Sequence, residues 1–92
     1  MHELTLQPRR SDGVLAQEAQ GQTVLLRLDD GSYYALDDVG ARVWELCDGQ
    51  RSLEEIVAVM REEFAAPTEE IAADVQEFVE ELRREQLLAE GA

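Results

Sequence analysis

Two hydrophobic periods divide the chain. Up to Leu36 the apolar positions alternate with polar ones, and from Asp37 onward they recur every three or four residues. Residues 14–18 are weakly strand-like, and Gln20-Gly21-Gln22 reads as the turn that follows them. Residues 23–28 form a clearer strand, with Val24, Leu26 and Leu28 on one face and Arg27 marking the other. Asp29-Asp30-Gly31 is a hairpin signal, since glycine takes the positive φ that twisted strands demand. Residues 32–36 return as a third strand, with Tyr34 and Leu36 on one face and Tyr33 and Ala35 on the other. Ahead of these, residues 1–11 read as a loose arm. Leu4 and Leu6 alternate in it, and Pro8 interrupts any strand they start.

The second half predicts three helices. Asp37 suits an N-cap for a short helix whose stripe is Val39, Val43, Trp44 and Cys47, ended at Asp48-Gly49. Ser52-Leu53-Glu54-Glu55 is a capping box, opening a helix with Leu53, Ile56, Val57, Met60 and Phe64 on one side. Ala65-Ala66-Pro67 breaks it. Thr68 is positioned to cap a third helix, whose stripe is Ile71, Val75, Phe78, Val79 and Leu82. Leu87 and Leu88 follow as an apolar tail folding back on the core, and the last residues fray. The expected architecture is α+β: a three-stranded antiparallel sheet followed by three helices, forming one domain over residues 12–90. Short helices beside a hairpin resemble a winged helix-turn-helix.

Charge narrows the function. Twenty-one acids face eight arginines and no lysine, a net −13 in 92 residues. Nucleic acid is bound by accumulated basic residues. The third helix, the one a DNA-binding winged helix would use to read bases, carries seven acids and two arginines over residues 68–86. Nucleic acid and anionic membrane surfaces are therefore excluded as partners. No apolar run approaches the ~20 residues of a membrane span, and the N-terminus lacks the pattern of a secretion signal, so a cytoplasmic protein is expected.

Candidate chemistry is sparse. His2, the one histidine, stands in the expected arm, where no geometry holds it. Cys47 lies on an apolar stripe and reads as a buried structural thiol. No CxxC pair or His/Cys cluster offers a metal site, and the paired glutamates point to different sides of their helices. Gly40, in the first turn of its helix, either permits close approach of the strand before it or is simply tolerated there. Neither an enzyme, a cofactor nor a metal is expected.

Binding is the function class left. An exposed sheet edge is normally guarded by Lys, Pro or a bulge, and residues 32–36 (Ser32, Tyr33, Tyr34, Ala35 and Leu36) carry none of these. Such an edge invites a strand from another chain, with pockets between strand and helix for its apolar anchors. At this level Tyr34, Leu36, Phe78 and Val79 read first as core and only second as cleft. The same edge also fits a self-associating scaffold, so both a monomer and a weak dimer remain open.

Three segments, TVLLRLDDGSYYALDDVGARVWELCDG, RSLEEIVAVMREEF and IAADVQEFVEELRREQLL, together resemble the PqqD-like family of peptide-recognition elements in ribosomal-peptide modification systems. The resemblance implies a domain that binds the leader segment of a precursor peptide as an antiparallel strand on the third strand. It implies a cleft walled by the third helix, through Asp74, Val75, Phe78, Val79 and Leu82. Asp74 either bonds a polar group of the leader or stands on the rim. The further implication is delivery of the precursor to a modifying enzyme: a leader peptidase, a cyclase or a radical-SAM protein. YYALDDVGARVWELCDG looks more like the stand-alone recognition proteins of lasso-peptide pathways than like the pyrroloquinoline-quinone pathway protein. Asp37-Asp38 departs from the Asn-containing turn of many relatives.

Overall fold

A computed structural model describes residues 7–65 and 67–89. The expected strand at Leu4 and Leu6, the placement of His2 and the fraying of the last residues lie outside them. Three strands, β1 (Val14–Ala19), β2 (Gln22–Arg27) and β3 (Tyr33–Leu36), precede three helices, α1 (Asp38–Leu46), α2 (Leu53–Glu63) and α3 (Thr68–Arg84). The sheet is antiparallel in the order β1-β2-β3.

Turn chemistry sets the registers. Gln20 and Gly21 both have positive φ, 56° and 78°, which is the two-residue turn whose twist matches the flanking strands. Ala19 then pairs with Gln22, and the ladder continues to Val14 opposite Arg27. The second connection is longer. Gly31, at φ 75°, donates its N–H to the Arg27 carbonyl at 2.8 Å, and Leu26 pairs with Tyr33.

These registers divide the sheet into two faces. Thr23, Leu25, Arg27, Tyr34 and Leu36 point toward the helices, with Leu25 wholly buried. Leu15, Gln17 and Ala19 of β1, Gln22, Val24 and Leu26 of β2, and Tyr33 and Ala35 of β3 point away. The apolar face of Val24, Leu26 and Leu28 is thus the outward one. Arg27 belongs inside because its guanidinium donates to the Glu85 carbonyl (2.6 Å), at the C-terminal end of α3, where helix carbonyls lack partners.

The helices begin and end largely where their caps require. The Asp37 carboxylate accepts the Gly40 N–H at 2.8 Å, and Ser52 and Glu55 complete a reciprocal capping box. In α1 the buried stripe is Gly40, Val43, Trp44 and Leu46, continued by Cys47, while Val39 is 37% exposed on its rim. Pro67, not Thr68, occupies the N-cap of α3, and Thr68 is its first helical residue. The core joins Leu25 and Leu36 of the sheet to the stripes of all three helices, with Leu87 and Leu88 folded onto it.

Residues 8–11 are stitched into the fold, in contrast to the loose arm expected over 1–11. Pro8 is fully buried, and its carbonyl accepts from Gly49 N–H at 2.9 Å. Arg10 N–H donates to Cys47 (3.0 Å), Ser11 N–H to Leu87 (3.0 Å), and Ala89 N–H to Arg9 (2.7 Å). The Arg10 guanidinium donates to the carbonyls of Trp44 and Glu45, at 3.1 and 2.7 Å. α1 has no basic residue in its own last turn, so its C-terminal charge is answered from this distant segment.

Candidate functional site

The site is built on β3. This strand pairs with β2 on one side, and among the described residues nothing pairs with its other side. Arg27 N–H donates to Ser32 O at 2.9 Å, which makes that couple a hydrogen-bonded pair. Bonded and non-bonded pairs alternate in an antiparallel ladder, so Tyr34 and Leu36 spend their backbone groups on β2. Tyr33 and Ala35 turn theirs to the open edge. An incoming strand would meet two residues' worth of unpaired donors and acceptors there.

Two side-chain contacts relate α3 to this part of the fold, one from β3 and one from α1. The Tyr34 hydroxyl donates to the Glu85 carboxylate at 3.0 Å, beside the Arg27 contact to the same residue. One β-carbon on Gly40 would come within 3.2 Å of the Phe78 ring, so α1 begins with a glycine where that ring lies against it. The close neighbour at Gly40 is thus an aromatic ring of α3 and not the strand before it. From 34 to 40 the chain leads along β3 into α1, while the matching points on α3 run from 85 back to 78. Helix and strand are thus oppositely directed, over about 10 Å of helix.

The ten residues expected at the site separate by depth. Tyr33 is 73% exposed and Ala35 exposed, both with side chains on the outward face. Ser32 and Tyr34 are half-buried, and Leu36 is buried. On α3, Phe78 is half-buried against the core and Asp74, one turn earlier, is exposed. Val75, Val79 and Leu82 are core residues that hold α3 in position from behind. Sequence reasoning missed Glu85 and Arg27, which tie α3 to the sheet. A basic residue inside an otherwise apolar strand was the available signal for Arg27.

The remaining chemistry lies elsewhere. Burial pushes the Cys47 thiol up to about 12, against the opposing pull of Arg10, so it stays protonated at neutral pH. Glu55 and Asp48 are held below the usual carboxylate range, chiefly by backbone N–H groups of Ser52 and Gln50, and Glu63 by its hydrogen bonds from Arg42. These are caps and ion pairs. Two hollows of 470 and 460 Å³ open between β1 and the α1 side, the first reaching Leu36 at the end of β3, and neither is lined by Tyr33, Ala35 or α3. A strand edge needs no preformed hollow, because backbone pairing makes the contact.

Residues 22–88 match the family described as coenzyme PQQ synthesis protein D (PqqD). The chain belongs to the PqqD family. A relative called PqqA binding protein, from Rhizobium meliloti (strain 1021), is 44% identical over 69 residues, 75% of this chain and 68% of that one. Among solved structures, TbiB1 in complex with the TbiA(beta) leader peptide superposes with a TM-score of 0.79 at 32% identity, covering 91% of this chain and 98% of the other. A lasso peptide synthetase B1 complexed with its leader peptide gives 0.80 at 17% identity, over 90% and 98%, which shows the fold alone. This PqqD-family fold is the three-stranded sheet and three helices described above. Among its described residues no helix is long and apolar enough to cross a membrane.

Proposed function

We propose that this PqqD-family chain is a non-catalytic recognition element that binds the leader segment of a ribosomally made precursor peptide as a fourth, antiparallel strand on β3. The observation that carries this reading is the β3 edge, where among the described residues the backbone groups of Tyr33 and Ala35 have no strand partner, with the end of α3 tied to β3 through Tyr34 and Glu85. Each backbone hydrogen bond to the leader contributes a net ~0.5–1.5 kcal/mol and sets its register. Apolar leader side chains enter between β3 and α3, against Phe78 and Tyr34, each contributing about 1.5–3 kcal/mol if fully buried. Asp74 stands at the rim of that cleft. The domain then presents the precursor to a modifying enzyme: a leader peptidase, a cyclase or a radical-SAM protein.

Lasso-peptide maturation is the pathway we favour, on the likeness to TbiB1 with its bound leader. The second reading is chaperoning of the precursor of pyrroloquinoline quinone, favoured by the 44% identity to a PqqA binding protein. The precursor encoded beside this chain's gene distinguishes them.

Hydrogen exchange tests the strand directly. The cognate leader should protect the amides of Tyr33 and Ala35 and change those of Tyr34 and Leu36 little. Phe78→Ala should weaken calorimetric leader binding about tenfold while the domain stays folded. Unchanged exchange at Tyr33 and Ala35 under saturating leader would sink the proposal.

A further inference from the structure

β1 is the other edge of the sheet, and among the described residues nothing pairs with its free side. The Leu28 N–H donates to Gly13 O at 2.9 Å, so by alternation Leu15, Gln17 and Ala19 spend their backbone groups on β2. Val14, Ala16 and Glu18 turn theirs to the open side, where only the Val14 N–H is taken, by Ser11 O at 3.3 Å. This edge is longer than that of β3 and carries neither Lys nor Pro. Its one charged residue, Glu18, stands opposite Thr23 and so points to the helix side, a device that can guard an edge.

The helix side of β1 is hollowed at both ends. Ala16 and Trp44 line both hollows, the 470 Å³ one at the Glu18 end and the 460 Å³ one at the Val14 end. Trp44 is 4% exposed, and its indole N–H has no acceptor among the described residues, where a buried indole usually finds one. The two ends differ in charge. Five acids, Glu18 and Asp37 among them, line the first with a single arginine, Arg42, which Glu63 already holds at 2.8 Å. Arg9 and Arg10 line the second with a single acid, Asp12. Arg10 donates to the backbone carbonyls of Trp44 and Glu45, so its hydrogen bonds leave its charge uncancelled. In a chain of net −13 this is a local excess of positive charge.

Those ends match each other when β1 meets a copy of itself. A two-fold axis at Ala16 pairs Ala16 with Ala16 and Val14 with Glu18, the register in which all three open residues meet open residues. Opposed residues share a face of the sheet, so each Glu18 carboxylate comes over the arginine-lined hollow of the other copy, where the Trp44 N–H lacks an acceptor. The acidic end of one copy thus faces the basic end of the other, twice over. Repulsion between two chains of −13 opposes the pairing, but exposed charges are screened beyond ~8 Å at physiological salt, and the Glu18 contacts are local. We infer that the chain pairs with a second copy of itself through β1, forming a continuous six-stranded antiparallel sheet with a β3 edge free at each end. The inference stands whether or not those free edges bind a leader.

Sedimentation of the full chain from about 10 µM to about 1 mM tests it, and should show a monomer–dimer equilibrium with Kd on the order of 100 µM. Circular dichroism verifies the fold of each variant. Ala16→Pro removes the central N–H of the open edge and should weaken the dimer at least about tenfold, while Ala35→Pro, the same change at β3, should leave it within about twofold. Glu18→Gln separates a bridge from a guard, because it also lessens the net repulsion. As a bridge lost it should weaken the dimer about fivefold; as a guard removed it would strengthen it. Glu18→Arg should weaken it further, and Glu18→Arg/Arg9→Glu should return it toward wild type; this series decides the matter if Ala16→Pro does not fold. A monomer throughout the range overturns the inference, as does a tighter dimer in Glu18→Gln. A dimer lost in Ala35→Pro but kept in Glu18→Arg overturns it too, by placing the pairing at β3.

Discussion

The two faces of the sheet have traded the compositions that a simple inside-outside rule would give them. Under the helices lie Leu25 and Leu36 together with Tyr34 and an arginine, Arg27; toward solvent lie Leu15, Val24, Leu26 and Tyr33 without a charge among them. The covered face can include Arg27 because its guanidinium finds the Glu85 carbonyl and, at 3.7 and 3.5 Å, the carboxylates of Asp29 and Asp30. It needs only two leucines from the sheet because the helix stripes supply the rest of the core. Burial, then, is decided by what the next element brings to a face, and apolar content alone does not decide it.

That contrast can be broken or sharpened by four substitutions. Leu25→Ala should cost about 2–5 kcal/mol in urea unfolding, as for a fully packed core leucine. Leu26→Ala beside it, on the outward face, should cost much less; equal losses would mean that both faces are covered. Tyr34→Phe removes the hydroxyl donor to Glu85 and should cost about 0.5–1.5 kcal/mol, toward the lower end because the pair is only part-buried. No loss there would mean that the Arg27 hydrogen bond to the Glu85 carbonyl suffices to tie the end of α3 to the sheet. Leu28→Ala should stay within about 0.5 kcal/mol, since the side chain is more than half exposed. A larger loss would assign the outward leucines to the fold.

Local signals made most of the architecture legible. The Asp37 cap, the Ser52-Glu55 box and the Asp29-Asp30-Gly31 turn each rest on residues within four positions of one another, and each is found where it was expected. Alternation also divided β2 correctly into two faces. It could not say which face the helices would choose, because a period of two is symmetric between the sides. Val39 shows the same limit, with the right spacing to Val43 but a place on the rim of the α1 stripe. What escaped altogether is long-range: Arg10 reaching Trp44 and Glu45, and Arg27 reaching Glu85, are single contacts between segments 34 to 58 residues apart. At the site, the open β3 edge was legible from the absence of guarding residues. The depth of Val75, Val79 and Leu82 was not, because a core stripe and a cleft wall on one helix share a single period.

The stitched segment has a consequence for how this unit could be handled. Arg10 is bridge partner to Leu88, so these two points of the backbone lie about 5 Å apart, on neighbouring extended segments. Joining those two points would need a linker of only a few residues and little closure entropy. The unit is in that sense a cassette, with the open strand β3 between these two points in sequence and the points themselves side by side. It could be set into a surface loop of a larger protein without parting the loop's ends.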